Sequence, residues 1–134
     1  MALLTVKDLS VHYPVRQGIW QRSGVVRAVE EVSFSLDAGE TLGLVGESGC
    51  GKSTLGRALV RLEAPCSGTI HMNSVNLAAL KGRELRQQRK NFQMIFQDPY
   101  GSLNPRLTIF SALNEVLLLH TTLDPRIWRR VSAS

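Results

Sequence analysis

Residues Gly46-Glu47-Ser48-Gly49-Cys50-Gly51-Lys52-Ser53 fit the pattern GxxxxGK[ST], and Thr54 follows directly. A polyphosphate carries several charges at close spacing, and consecutive backbone N–H groups of a glycine-rich turn can point at it with no side chain in the way. Gly46, Gly49 and Gly51 supply that open backbone, while Glu47, Ser48 and Cys50 fill the variable positions between them. Such a pattern places the Lys52 ammonium on the β- and γ-phosphates of a nucleotide. It makes the Ser53 hydroxyl a ligand of the Mg²⁺ bridging them, and turns Thr54, by its backbone N–H and hydroxyl, toward the α-phosphate side. A glycine turn with an incidental lysine is the plain alternative. At ordinary residue frequencies a chance match in a chain of this length is on the order of one in a few hundred.

A phosphate loop needs a strand that ends where it begins and a helix that starts where it ends. Thr41-Leu42-Gly43-Leu44-Val45 is short, continuous and apolar, as in a strand covered on both faces. Leu55, Ala58, Leu59 and Leu62 fall at i, i+3, i+4 and i+7, the apolar stripe of a helix that stops before Pro65. The order is strand, loop, helix.

Upstream, Leu4, Val6, Leu9, Val11 and Tyr13 alternate with polar residues, but the phase slips by one at Lys7-Asp8, which predicts a strand with a bulge. Pro14 to Gly24 reads as a polar loop containing an isolated Trp20. Val32, Phe34 and Leu36 predict a half-buried strand closed by a turn at Ala38-Gly39. Downstream, short strands are expected over Gly68–Met72 and Phe92–Phe96, a turn-rich loop over Asp98–Arg106 and an apolar helix over Leu107–Leu119. Asp124-Pro125 has the form of a helix start.

The chain has 134 residues, 43% of them hydrophobic and 20% charged, which suits one globular domain of roughly 150 residues and excludes wholesale disorder. The longest run of large apolar residues, Val116–Leu119, is far below the ~20 needed to span a bilayer. No secretory signal is legible at the start, and two isolated cysteines make no disulfide framework, so a reducing cytosol is expected. The net charge of +5 is concentrated between Lys81 and Lys90, which hold five bases and one acid. That stretch fits a solvated helix face best and an anion or partner contact second. It contains no aromatic residue to interleave with bases, so no nucleic-acid partner is expected.

Phe96-Gln97-Asp98-Pro99-Tyr100-Gly101-Ser102-Leu103-Asn104-Pro105-Arg106, taken with the loop wording GESGCGKST, resembles the ATP-binding subunits of ABC transporters, in particular the bacterial dipeptide, oligopeptide and nickel import branch. The likeness runs from the first strand to about Leu119. It implies an α/β fold: a P-loop NTPase core forming the N-terminal part of an ABC nucleotide-binding domain, with an antiparallel β subdomain and the start of a helical subdomain. It further implies that Tyr13 stacks on the adenine of ATP, its alternative being an ordinary strand-end tyrosine. Gln97 corresponds to the glutamine that approaches Mg²⁺ and the attacking water and couples the site to the membrane subunits. The implied partners are transmembrane permease subunits and a second ATP-binding subunit, identical or not. The implied location is cytoplasmic, peripheral on the inner face of the bacterial plasma membrane. Thr69 to Leu77 departs slightly from the family, which usually has a glycine near Ser74 in its hairpin turn, and Arg129-Arg130-Val131 resembles the helical subdomain.

Three family elements have no counterpart. No apolar run is followed by Asp and Glu, Gly101 is the last glycine so LSGGQ cannot follow it, and His120 lies too early for the switch histidine, reading instead as a helix end. Residues 1–134 are therefore expected to form a partial nucleotide-binding domain that ends before the signature, through a truncated gene, a frameshift or a deliberate cut. Such a chain is expected not to hydrolyse ATP by itself.

Overall fold

The computed structural model describes residues 1–15, 18, 24–98 and 100–122, and the chain divides into two units, Met1–Met94 and Ile95–Ser134. Trp20, Asp124-Pro125 and Arg129-Arg130-Val131 lie outside the described residues.

In the first unit β1 (Ala2–Val15) pairs antiparallel with β2 (Gly24–Asp37) on one side and β3 (Ser67–Met72) on the other, and β3 pairs with the short β4 (Val75–Asn76). The sheet order is β2-β1-β3-β4. The predicted bulge is present. Asp8 takes a left-handed φ of 48°, the register shifts between Val6 and Leu9, and Ser33 of β2 staples the site by accepting the Asp8 N–H at 2.8 Å. Spending one residue there lets Val6, Leu9 and Val11 all face the core despite their broken alternation. Gly68 of β3 lies against the bulge at φ 93°, where a Cβ would come within 2.5 Å of the Asp8 carbonyl oxygen. A second irregularity follows at Ser10, whose buried hydroxyl accepts the Glu31 N–H at 2.9 Å.

The polar loop expected from Pro14 to Gly24 is shorter than that, because Pro14 pairs with Val25 and Val15 with Gly24. Antiparallel pairing is local and extends as far as facing residues remain compatible with it. At the β3–β4 turn, Asn73 and Ser74 have φ of 47° and 69°, the double left-handed conformation of a type I′ hairpin. The turn keeps this geometry without the glycine.

Two expected strands do not form. Residues 41–46 carry no strand pairing, and Leu42, Leu44 and Val45 are exposed, Val45 at 90%. Residues 92–96 are likewise unpaired. A strand covered on both faces needs neighbours brought by long crossovers, and no described residue pairs with either segment.

α1 (Lys52–Leu59) packs Leu55 and Ala58 into the core with Val6, Leu9, Val11, Val29, Ile70 and Leu77. It is shorter than its apolar stripe suggests: Leu62 lies past its end, because Arg61 turns the chain at a left-handed φ of 54°. α2 (Gly82–Gln88) occupies the basic stretch, buries Leu85 alone and leaves Lys81, Arg83, Arg86, Arg89 and Lys90 exposed.

In the second unit a single 3₁₀ turn, Tyr100–Ser102, precedes α3 (Ile109–His120). The Thr108 hydroxyl caps α3 by accepting the Ser111 N–H at 3.1 Å, and His120 is its last residue. No helix among the described residues is long and apolar enough to cross a membrane.

Candidate functional site

The phosphate loop joins the unpaired segment 41–46 to α1. The Lys52 ammonium lies in its mouth, donating to the Gly46 carbonyl and, at 2.7 Å, to the Glu47 carbonyl, with the Cys50 sulfur 3.4 Å away. A Cβ on Gly46 would sit 2.5 Å from that sulfur, so a side chain at residue 46 would displace Cys50, while its 3.7 Å distance from the ammonium is ordinary contact.

Gly51 caps α1 at φ 93° with no side-chain hydrogen bond, and the first turn holds no acid. Leu55 N–H donates to the Gly51 carbonyl at 2.8 Å, which leaves the N–H groups of Lys52, Ser53 and Thr54 without intrahelical acceptors. They sit at the positive end of the helix beside a cationic side chain. Gly51 also lies against β2: a Cβ there would be 2.1 Å from the Ala28 carbonyl oxygen. This contact ties the loop to the sheet and left no trace in residue spacing.

These features fit a polyphosphate: free main-chain donors, a lysine and a space that a side chain would fill. For a divalent cation the described residues offer no group of three or more His, Cys, Asp and Glu side chains. The exposed Ser53 hydroxyl and the phosphate oxygens themselves are the hard ligands at hand.

Tyr13, near the end of β1 and paired with Val26, is half-buried against the core. The nearby Glu63 carboxylate first, and then desolvation, hold its hydroxyl above the ordinary value of 10.0, with Thr54 opposing. Tyr13 and Thr54, 41 positions apart, are thus brought together. Glu63 joins them unforeseen, since nothing about an acid in a loop announces it.

Gln97 belongs to the second unit and is exposed. The loop behind it is shaped by Asp98, whose carboxylate accepts the N–H groups of Tyr100 at 3.0 Å and Gly101 at 3.4 Å, while the Ser102 hydroxyl donates to the Asp98 carbonyl at 3.1 Å. Pro99 lies outside the described residues. The Asp98 carboxylate is therefore engaged in holding its own turn.

Residues 29–133 match the family model described as ABC transporter. The chain is 54% identical over 116 residues to the probable peptide ABC transporter ATP-binding protein y4tS of Sinorhizobium fredii, covering 85% of this chain and 33% of that protein. It is 49% identical over 120 residues to the oligopeptide transport ATP-binding protein AppF of Bacillus subtilis, covering 88% and 36%. The chain spans about a third of the length of these curated relatives. Among solved structures, a post-hydrolysis dimer of the ATP-binding cassette MJ0796, bound to ADP and Pi, is similar with a TM-score of 0.73 at 22% identity, covering 95% of this chain and 53% of that one. The described residues thus have the fold of the N-terminal part of such a cassette, its antiparallel sheet and phosphate-loop helix included.

Proposed function

This chain belongs to the ABC transporter family, and from that premise we propose that it supplies the ATP-binding front part of a subunit that energises import of small peptides into a bacterial cell. The observation that carries the reading is the Gly46–Ser53 loop, with the Lys52 ammonium in its mouth and uncapped N–H groups at the start of α1. Lys52 binds the β- and γ-phosphates. The main-chain donors of residues 49–54 hold the remaining phosphate oxygens, with Thr54 toward the α-phosphate, and Tyr13 stacks on the base. By the family resemblance Ser53 and Gln97 are the residues that would hold Mg²⁺, which when bound would neutralise phosphate charge. Gln97 also orients water and passes the state of the site to transmembrane permease subunits.

The peptide class of the cargo is supported by the names of the relatives. In this reading a second ATP-binding subunit completes the site, and the complex sits on the cytoplasmic face of the plasma membrane. A second reading is that the chain alone binds ATP and does not turn it over. It is favoured by the unpaired segments 41–46 and 92–96 and by the lack of an acid pair after an apolar run.

Lys52→Ala removes the only side-chain cation in the loop and is expected to abolish ATP binding in equilibrium titration; unchanged affinity refutes the assignment. Phosphate release assayed with and without a partner ATPase subunit separates the two readings. Turnover only with the partner supports the first, and none in either case supports the second.

A further inference from the structure

Lys81, Arg83, Arg86, Arg89 and Lys90 share their stretch of chain with a single acid, Glu84. All five bases are exposed, and among the described residues none of them is in an ion pair. Leu85 is the only buried residue of α2, and Arg83 and Arg86, three positions apart, lie together on the side away from it. These cations stand on a fixed base. The Arg89 guanidinium donates to the Arg61 carbonyl at 3.0 Å, and the Arg61 guanidinium donates to the carbonyls of Leu77 and Leu80, both at 3.0 Å. Lys81, Arg83, Arg86 and Lys90 are thus displayed from a platform joined to the end of α1 and to the 3₁₀ turn Leu77–Ala79. Like charges at helical spacing repel one another, and an anionic surface relieves that repulsion.

We propose that this face of α2 docks directly on anionic phospholipid, with Lys81, Arg83, Arg86 and Lys90 set against headgroup phosphates. The inference rests on the reading that the chain works at a membrane. Charge complementarity selects the occupant. The cytoplasmic leaflet carries anionic lipid, and each Lys or Arg near it is worth about fivefold in partitioning. Cytoplasmic loops of membrane proteins carry an excess of Lys and Arg, so the loops of a permease would repel this face. A single-stranded nucleic acid is held by aromatic platforms beside the cations, and residues 81–90 contain no aromatic side chain. A lipid surface asks for no pocket and no stacking, only for several cations presented on one side of a rigid element.

The test is co-sedimentation of the whole chain with vesicles of phosphatidylcholine alone or with about 30% phosphatidylglycerol. Binding is expected only to the anionic vesicles, and to weaken at least tenfold as salt rises from about 0.1 to about 0.5 M. Replacing both Arg83→Gln and Arg86→Gln is expected to lower it about twentyfold. Lys81→Gln with Lys90→Gln, which leaves α2 itself untouched, is expected to do the same and serves if the first pair does not fold. The reference pair is Lys7→Gln with Arg106→Gln, two exposed bases elsewhere, expected to cost less than threefold. An equal loss in the reference pair overturns the proposal, since bulk charge then explains the binding. Equal binding to both kinds of vesicle, or to neither, also overturns it, as does tighter binding of a single-stranded RNA through the same bases. ATP titration of the α2 variants keeps the two readings apart. If wild type binds ATP and the α2 pairs lose vesicles alone, both stand; if no form binds ATP, the nucleotide reading fails whatever the vesicles show.

Discussion

Val6, Leu9, Val11 and Ile70 are buried in the sheet, while Leu42, Leu44 and Val45, as apolar, stand exposed. What separates them is where each takes its neighbours. β1, β2 and β3 pair antiparallel, and the β1–β2 and β3–β4 connections are local. A buried strand of the parallel kind needs crossovers of a dozen residues or more to bring a neighbour alongside. The antiparallel sheet is self-sufficient within Met1–Met94, and the segment entering the phosphate loop is not.

Three substitutions probe that contrast by urea denaturation. Ile70→Ala, at a fully buried position on β3 paired with Val6, is expected to cost about 3 kcal/mol. A cost below 1 kcal/mol would mean that the sheet is no more tightly packed than the exposed segment. Ser74→Gly relieves a left-handed serine in the type I′ turn and is expected to stabilise by about 0.5–1 kcal/mol, net of glycine's added freedom in the unfolded chain. Destabilisation there would mean that the hairpin prefers another turn. Leu44→Ser, half-exposed and unpaired, is expected to change stability by about 0.5 kcal/mol or less. A loss approaching that of Ile70→Ala would show that residues 41–46 are packed in this chain after all and would erase the distinction.

Alternation made the sheet legible. Leu4, Val6, Leu9 and Val11, with their slip at Lys7-Asp8, predicted both β1 and its bulge, and Val32, Phe34 and Leu36 predicted β2. Continuous apolar runs misled at 41–45 and 92–96, because they report a demand for burial without saying what supplies it. The loop from Gly46 to Ser53 was readable because its chemistry is main-chain, and glycines with a lysine are what such chemistry requires. Tyr13 and Gln97 acquired roles only through family resemblance. The approach of Gly51 to the Ala28 carbonyl had no sequence signal, since it depends on how α1 is laid against the sheet.

The bulge at Asp8 and the glycine at position 68 also bear on how this sequence can drift. Side chains along β1 can be exchanged for others of similar size, but its residue count is locked. Deleting one residue at the bulge would turn Leu9, Val11 and Tyr13 to the opposite face at a stroke. Restoring a side chain at Gly68 would push the neighbouring strand off the same joint. Lineages carrying this strand are therefore expected to inherit the slipped phase and the facing glycine together, and to accumulate length changes elsewhere.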